Sequence, residues 1–145
     1  MKPIFGQPEA GKTYKTRKGV YTVISREDQI VIVEAPNGAC FLPGGEIEGN
    51  ETHAEALARE MLEELGFVIE IGAYLGEAAD YFYSRFRDTY FYNPGYFYIA
   101  DSWQSVAEPL EKTNKIHWVS VKEALVRLKR GSHRWAVLQW IEKNR

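Results

Sequence analysis

Five side chains between positions 51 and 64 offer more chemistry than any other part of this chain: Glu51, Arg59, Glu60, Glu63 and Glu64. Carboxylates are hard oxygen donors of the kind that hold Mg²⁺ or Mn²⁺, and a guanidinium can bind carboxylates in pairs or grip a phosphate. Together they have the composition of a centre that holds a divalent cation against a pyrophosphate. A glycine-rich approach, Leu42-Pro43-Gly44-Gly45, leads into them, and Gly66 followed by the apolar Phe67 closes the segment. Between residues 46 and 64 Arg59 is the only Lys or Arg, whereas an ordinary solvated acidic face mixes Lys with Glu at helical spacing.

These residues need a helix to bring them together. Thr52-x-x-Glu55 is a capping box that predicts a helix start, and Gly66 supplies a stop. On that helix Ala54, Leu57, Ala58, Met61 and Leu65 are expected to form the core-facing stripe, with Glu60, Glu63 and Glu64 on the neighbouring arc. Like charges so placed repel, and Glu63 and Glu64 lie near the end where the helix dipole favours cations. Folding alone would not choose this arrangement, whereas a bound Mg²⁺ or Mn²⁺ reverses the sign of the cost. Arg59 precedes Glu63 by four residues, so a plain helix ion pair accounts for part of its role.

The spacing G-x5-E-x7-R-E-U-x-E-E-x-G-U, with U bulky and apolar, is met at every defined position from Gly45 to Phe67. Seven fixed positions coincide by chance on the order of 10⁻⁸ per window, so a random match is set aside. The pattern is the Nudix box, and the chain resembles the Nudix hydrolases, MutT-like proteins among them. The likeness extends to the 19–34 opening, the approach to the box, the Trp118-Val119 strand and the closing helices. It implies an α+β protein, an α/β/α sandwich around a mixed sheet. It also implies metal-dependent hydrolysis of a nucleoside diphosphate linked to another moiety: a nucleoside triphosphate, a nucleotide sugar or a dinucleoside polyphosphate.

By motif position, the resemblance makes Glu60, Glu63 and Glu64 candidate ligands for Mg²⁺ or Mn²⁺, with a carbonyl of Gly44 or Gly45 as a further oxygen. Arg59 is expected to hold the carboxylates, and Glu51 to brace the segment or reach the metal through water. Either Glu60 or Glu63 is the general base. A further acid often comes from a loop outside the box, and Glu108 and Glu111 are the candidates. A nucleotide-sensing domain of the same fold, without turnover, is the alternative reading; it usually has a damaged box, and this box is intact. An isoprenoid isomerase of the fold would require its own catalytic cysteine, and Cys40 lies outside such a context.

Residues 81–98 are dense in aromatics. Alternating aromatics are favoured in paired strands, while stacking on a base by Tyr83 and a phosphate grip by Arg85 or Arg87 form the substrate-binding expectation. In some relatives a tyrosine about seventeen residues past the box accompanies dinucleoside polyphosphates, and Tyr83 falls near there. The proline of ADP-ribose hydrolases is replaced by Tyr81. His53, His117 and His133 lack zinc-site spacing and are expected not to be ligands.

The remaining expectations are coarser. At 145 residues, 45% apolar and 26% charged, the chain fits one globular domain over 1–145. No long apolar run marks a membrane span, residues 1–12 lack a secretory h-region, and the single cysteine suits a reducing cytoplasm. Ten of the 20 acids lie between Glu46 and Asp80. From Lys112 onward the chain is basic, through Lys115, Lys122, Arg127, Lys129, Arg130 and Arg134, which reads as a cation-assisted hold on a polyanion or as a solvated helix face. The expected partner is a small-molecule nucleotide, with neither membrane nor nucleic acid, and a homodimer stays open. Strands are expected at 19–25, 29–34, 39–42, 67–75, 81–86, 90–100 and 116–119, helices at 121–129 and 132–143, and an irregular leader over 1–13.

Overall fold

The computed structural model describes residues 2–144. In chain order the elements are β1 (Ile4–Phe5), β2 (Tyr14–Thr16), β3 (Gly19–Val23), β4 (Ser25–Arg26), β5 (Gln29–Glu34), β6 (Cys40–Phe41), β7 (Gly44–Glu46), α1 (His53–Glu64), β8 (Phe67–Ser84), β9 (Thr89–Ser105), β10 (Lys115–Ser120), α2 (Val121–Arg127) and α3 (Gly131–Lys143). One sheet runs β1-β8-β9-β3-β7 with β2 also on β9, and the second runs β10-β5-β4 with β6 on β5. Pairing is mixed: β3 lies parallel to β9 and antiparallel to β7.

Period-two burial of β-branched residues explains the layers. In β5, Ile30 and Ile32 join a core with Ala124, Ala136 and Val137 of α2 and α3. Val31 and Val33 point the other way, into a core with Ala56, Leu57 and Met61 of α1. Such strands are buried on both faces, as a covered sheet requires, and the α/β/α sandwich over a mixed sheet is the architecture found.

Several local expectations are corrected. The strands over 67–75 and 81–86 are one strand, β8, whose pairing with β9 shifts register at three places between Glu70 and Gly76. The expected gap at 76–80 pairs in regular register with β9, and the bulges lie before it. The leader is not wholly irregular, because Ile4 and Phe5 pair in parallel with Ala79 and Asp80. On α1 the buried alanine is Ala56, while Ala54 and Ala58 are exposed. The core stripe is therefore narrower, and the exposed flank is left to the acids. Helix α3 begins at Gly131 rather than after a Ser132 cap. Its free N–H groups meet Asp80 instead: the Ser132 amide donates to Asp80 Oδ1 at 3.3 Å, and the Ser132 hydroxyl bonds the same carboxylate. On α3, Leu138 is exposed, and Trp135 and Ile141 pack against the core beside the buried Ala136 and Val137. Helix α2 ends at Arg127, two residues short of the expected limit. The chain then turns back, and the Lys129 amide donates to the Cys40 carbonyl at 3.0 Å.

Candidate active site

Helix α1 forms where expected. The Thr52 side chain accepts from the Glu55 amide at 3.1 Å, the Glu55 carboxylate accepts from the Thr52 amide at 2.9 Å, and Gly66 leaves the helix at φ +71°. The exposed side of this helix is organised around Arg59. Its Nε and Nη2 grip both oxygens of Glu51 at 2.7 and 2.9 Å. Nη1 donates to Glu60 at 2.9 Å and Glu63 at 3.1 Å, and Nη2 also donates to the Glu46 carbonyl at 2.9 Å. The expected ion pair with Glu63 is thus one strand of a network. Glu51 additionally accepts from the Glu48 amide at 2.8 Å. The Arg59 hydrogen bonds and this amide hold its carboxyl down at about 2.

Glu60 and Glu64 lie on the other side of the balance. Burial raises the Glu60 carboxyl, with Glu63 and Glu111 adding repulsion, and Arg59 opposes the rise. Burial raises Glu64 further, again with repulsion from Glu60, Glu111 and Glu63, against one hydrogen bond from the Gly44 amide at 2.8 Å. The glycines are required by contact. A Cβ on Gly45 would sit 2.6 Å from the Glu60 carboxylate, and Gly44 has φ +143° with the Val20 carbonyl 2.1 Å from where a Cβ would lie. The loop before them is pinned from α3: the buried His133 Nδ1 accepts the Leu42 amide at 3.0 Å. Burial keeps that imidazole neutral, down at about 3, with Arg130 and Arg134 adding to the effect.

The outlying candidates separate. Glu111 comes to the acids, since its amide donates to the Glu63 carbonyl at 2.9 Å and its charge bears on Glu60 and Glu64. Glu108 is exposed, and no recorded contact ties it to them. Tyr83, Arg85 and Arg87 lie at the far tip of the β8–β9 hairpin, away from the acids. There Tyr83 packs against Tyr90 across the strands, as Phe82 does against Phe91, and its hydroxyl bonds Asp88. His53 bonds the Tyr98 hydroxyl at 2.7 Å and His117 bonds Glu34 at 2.8 Å, so each histidine has a protein partner.

One hollow adjoins the glycine loop, and a second lies beyond Phe41. The inner one, about 170 Å³, is bordered by Gly44, Gly45, Glu64, Tyr21, Asn93 and Asn114, with Arg17, Arg130 and His133 at its walls. The outer one, about 650 Å³, holds Tyr83, Arg85, Phe86, Arg87, Lys129 and Arg130. Phe41 and Arg130 belong to both. Sequence reading named Gly44, Gly45 and Glu64 but missed Arg17, Tyr21, Asn93 and Asn114, and it placed Arg130 and Lys129 on a basic tail. Nothing in their local spacing signals the role, because distant segments make the walls.

The donor set suits a hard divalent cation: only carboxylates crowd the buried side of Arg59, and their mutual repulsion has one protein counter-charge. A chelate is not preformed. Among the described residues no three His, Cys, Asp or Glu side chains converge on one ligating point, because Arg59 and the Gly44 amide engage the oxygens. Glu60, Glu63 and Glu64 would hold the ion, with Glu111 beside them. Among the described residues no helix is long and apolar enough to cross a membrane.

Comparison with known proteins places this geometry in a family. The NUDIX domain model matches residues 15–141. A NUDIX hydrolase from Nitrosomonas europaea is similar in structure at 20% identity, covering 90% of this chain and 92% of that one, with a TM-score of 0.67. The E. coli ORF135 protein matches at 18% identity over the same shares, with a TM-score of 0.66. A MutT protein from Bacillus halodurans matches at 17% identity, over 84% and 80%, with a TM-score of 0.68. At such identities these likenesses speak for the fold, and no curated protein matches in sequence. The match over 15–141 spans most of the chain, and the chain belongs to the NUDIX domain family.

Proposed function

We propose that this protein hydrolyses a pyrophosphate bond in a nucleoside diphosphate linked to another moiety, with Mg²⁺ or Mn²⁺. The observation that carries the reading is the Arg59 network facing Gly44-Gly45. Glu51, Glu60 and Glu63 converge there on one guanidinium, Glu64 accepts from the Gly44 amide beside them, and burial makes ionisation of Glu60 and Glu64 costly. When bound, the divalent ion neutralises phosphate charge and makes a water more acidic.

The chain's own groups do the rest. Glu60, Glu63 and Glu64 supply oxygens, and the carbonyls of Gly44 and Gly45 are the proposed further ones. Arg59, locked by Glu51, keeps Glu60 and Glu63 on the same side of α1. A carboxylate oxygen of Glu60 or Glu63 accepts the proton as the water oxygen bonds to phosphorus and the bridging oxygen departs. Glu63, the more exposed of the two at 38% against 13%, is the easier to reach from solvent, and Glu60 is the better fixed. The bare Cα of Gly45 lets the Glu60 carboxylate lie against the glycine loop.

The two cores draw on both sheets and all three helices, which supports treating 1–145 as one domain. The buried free thiol of Cys40 fits a reducing, cytoplasmic setting. The test is product release from a panel of nucleoside triphosphates, nucleotide sugars and dinucleoside polyphosphates with each metal. Phosphate is detected directly and after a coupled phosphatase. Release of a nucleoside monophosphate or a related product supports hydrolysis. Binding without release would move the reading to a nucleotide-sensing module, in keeping with oxygens engaged by Arg59 rather than gathered into a chelate.

A further inference from the structure

Three buried polar side chains take no part in the proposed chemistry: Asp80, Ser132 and His133, at 4%, 2% and 1% exposure. Asp80 sits in β8, and the other two in the first turn of α3. The Asp80 carboxylate accepts from the Ser132 amide at 3.3 Å and from the Ser132 hydroxyl, so it fastens the start of α3 to a strand. The same turn is seated on β1, since a Cβ on Gly131 would come within 2.5 Å of the Phe5 ring. A buried carboxylate is kept only where such bonds offset its desolvation. Here they fix a helix end rather than a reacting group.

His133 follows directly in that turn and carries the constraint to the glycine loop. Its ring is boxed by Tyr21 and Phe97, at 4.4 and 5.4 Å between centroids, and its Nδ1 accepts the Leu42 amide at 3.0 Å. Only a neutral ring with its proton on Nε2 can accept there. Pro43 has a fixed φ, and its carbonyl accepts the Thr22 amide at 3.0 Å, so the chain between Leu42 and Gly44 is stiff. The Gly44 amide then donates to Glu64 at 2.8 Å. No other hydrogen bond reaches the Glu64 carboxylate among the described residues, whereas Arg59 holds Glu51, Glu60 and Glu63. Glu64 thus takes its aim from an amide clamped between β3 and α3.

We infer that His133 and Asp80 are positioning residues for the cation-holding face: together they hold the glycine loop so that the Gly44 amide aims Glu64 at the neighbouring acids. The inference rests on the proposed reading of Glu60, Glu63 and Glu64 as the oxygens that hold Mg²⁺ or Mn²⁺. Both residues act through Gly44 and Glu64, and neither ligates the ion. Loss of the Leu42 bond frees the loop to move off Glu64, and the ion then meets one oxygen ligand fewer in place.

The test is calorimetric titration of Mn²⁺ alone into the full chain, beside urea unfolding of the same variants. His133→Phe keeps an aromatic ring in the box and removes the acceptor, and Mn²⁺ affinity should fall about five-fold or more. His133→Asn restores an acceptor at the Nδ1 position and should recover most of that loss, although its smaller side chain leaves the fold less stable. Asp80→Asn, nearly isosteric, should lower affinity about three-fold and add nothing once His133→Phe is present, because both act on one loop. In a Glu64→Gln background His133→Phe should have no further effect. A purely structural role predicts another split, in which urea midpoints fall while Mn²⁺ affinity stays that of the wild type, and that result overturns the inference. If His133→Phe fails to fold, Asp80→Asn decides, and wild-type affinity in it overturns the inference equally. Absence of Mn²⁺ binding by the wild type would instead overturn the reading of the acids. The Gly44 amide resonance of the metal-free protein would then still decide the positioning: it should shift in His133→Phe or Asp80→Asn and return in His133→Asn, and an unmoved resonance overturns the inference.

Discussion

Two arginines mark two differently built regions. Arg59 makes five hydrogen bonds, all to oxygens of its own neighbourhood, and gathers Glu51, Glu60 and Glu63 around it. Arg130 lies over an aromatic ring, beside three further cations, and its guanidinium donates no hydrogen bond among the described residues. The first guanidinium is fully used by the protein and serves to hold other groups. The second is oriented by packing against Phe82, with the Asp80 carboxylate bearing on its charge.

If the acidic region is the reacting one, the largest loss comes from its carboxylates. Glu63→Gln should lower kcat by roughly 10²–10⁴-fold with little change in KM, since metal and base act mainly on the transition state. A variant with near-normal kcat would shift the base to Glu60, and Glu60→Gln should then show the loss.

Next is the network itself. Arg59→Ala leaves Glu51, Glu60 and Glu63 without their counter-charge, and should destabilise the protein by about 2–4 kcal/mol in urea unfolding, the range for removing one member of a hydrogen-bonded charge group. Arg59→Lys should recover only part, because an ammonium cannot grip both oxygens of Glu51 in the same plane. An unchanged midpoint for Arg59→Ala would mean that the network contributes nothing to folding.

How much of this was legible follows from which contacts are local. Helix α1, its cap and the Glu63 ion pair are set within four residues of one another, and sequence spacing finds them. The joined strand β8 was hidden because the 76–80 stretch, read as a break, pairs with β9 in regular register just past the three bulges. Arg130 was invisible because its setting is made by Phe41 and Phe82, far away in the chain. Of the two outlying acids, Glu111 lies beside the box through its amide bond to the Glu63 carbonyl, and Glu108 is exposed.

A smaller effect concerns the pin between α3 and the glycine loop. His133 titrates near 6.5 when unfolded and at about 3 when folded, so the unfolded chain takes up the proton first. Its contribution is fully present above 6.5 and is lost as pH falls toward 3, amounting to about 2 kcal/mol between pH 6.5 and 5. Glu60 and Glu64 run the opposite way, because their raised carboxyls cost most when ionised. Comparing the pH slope of stability in wild type and His133→Gln isolates the histidine, and equal slopes would reject the assignment.

The smallest expected effect is on melting. Mg²⁺ at several times its dissociation constant should raise the transition by roughly 3–6 °C through mass action. A transition indifferent to millimolar Mg²⁺ and Mn²⁺ would make the acidic face a remnant.

The account stands most directly on calorimetric titration of Mn²⁺ into the wild type and into Glu64→Gln. That change is nearly isosteric, keeps an acceptor for the Gly44 amide and removes one of the repelling charges. The fold should persist while Mn²⁺ affinity falls by about ten-fold or more, the scale of one lost charged oxygen ligand. Equal affinity in the two proteins would contradict the claim that the acidic face of α1 is built to hold a cation.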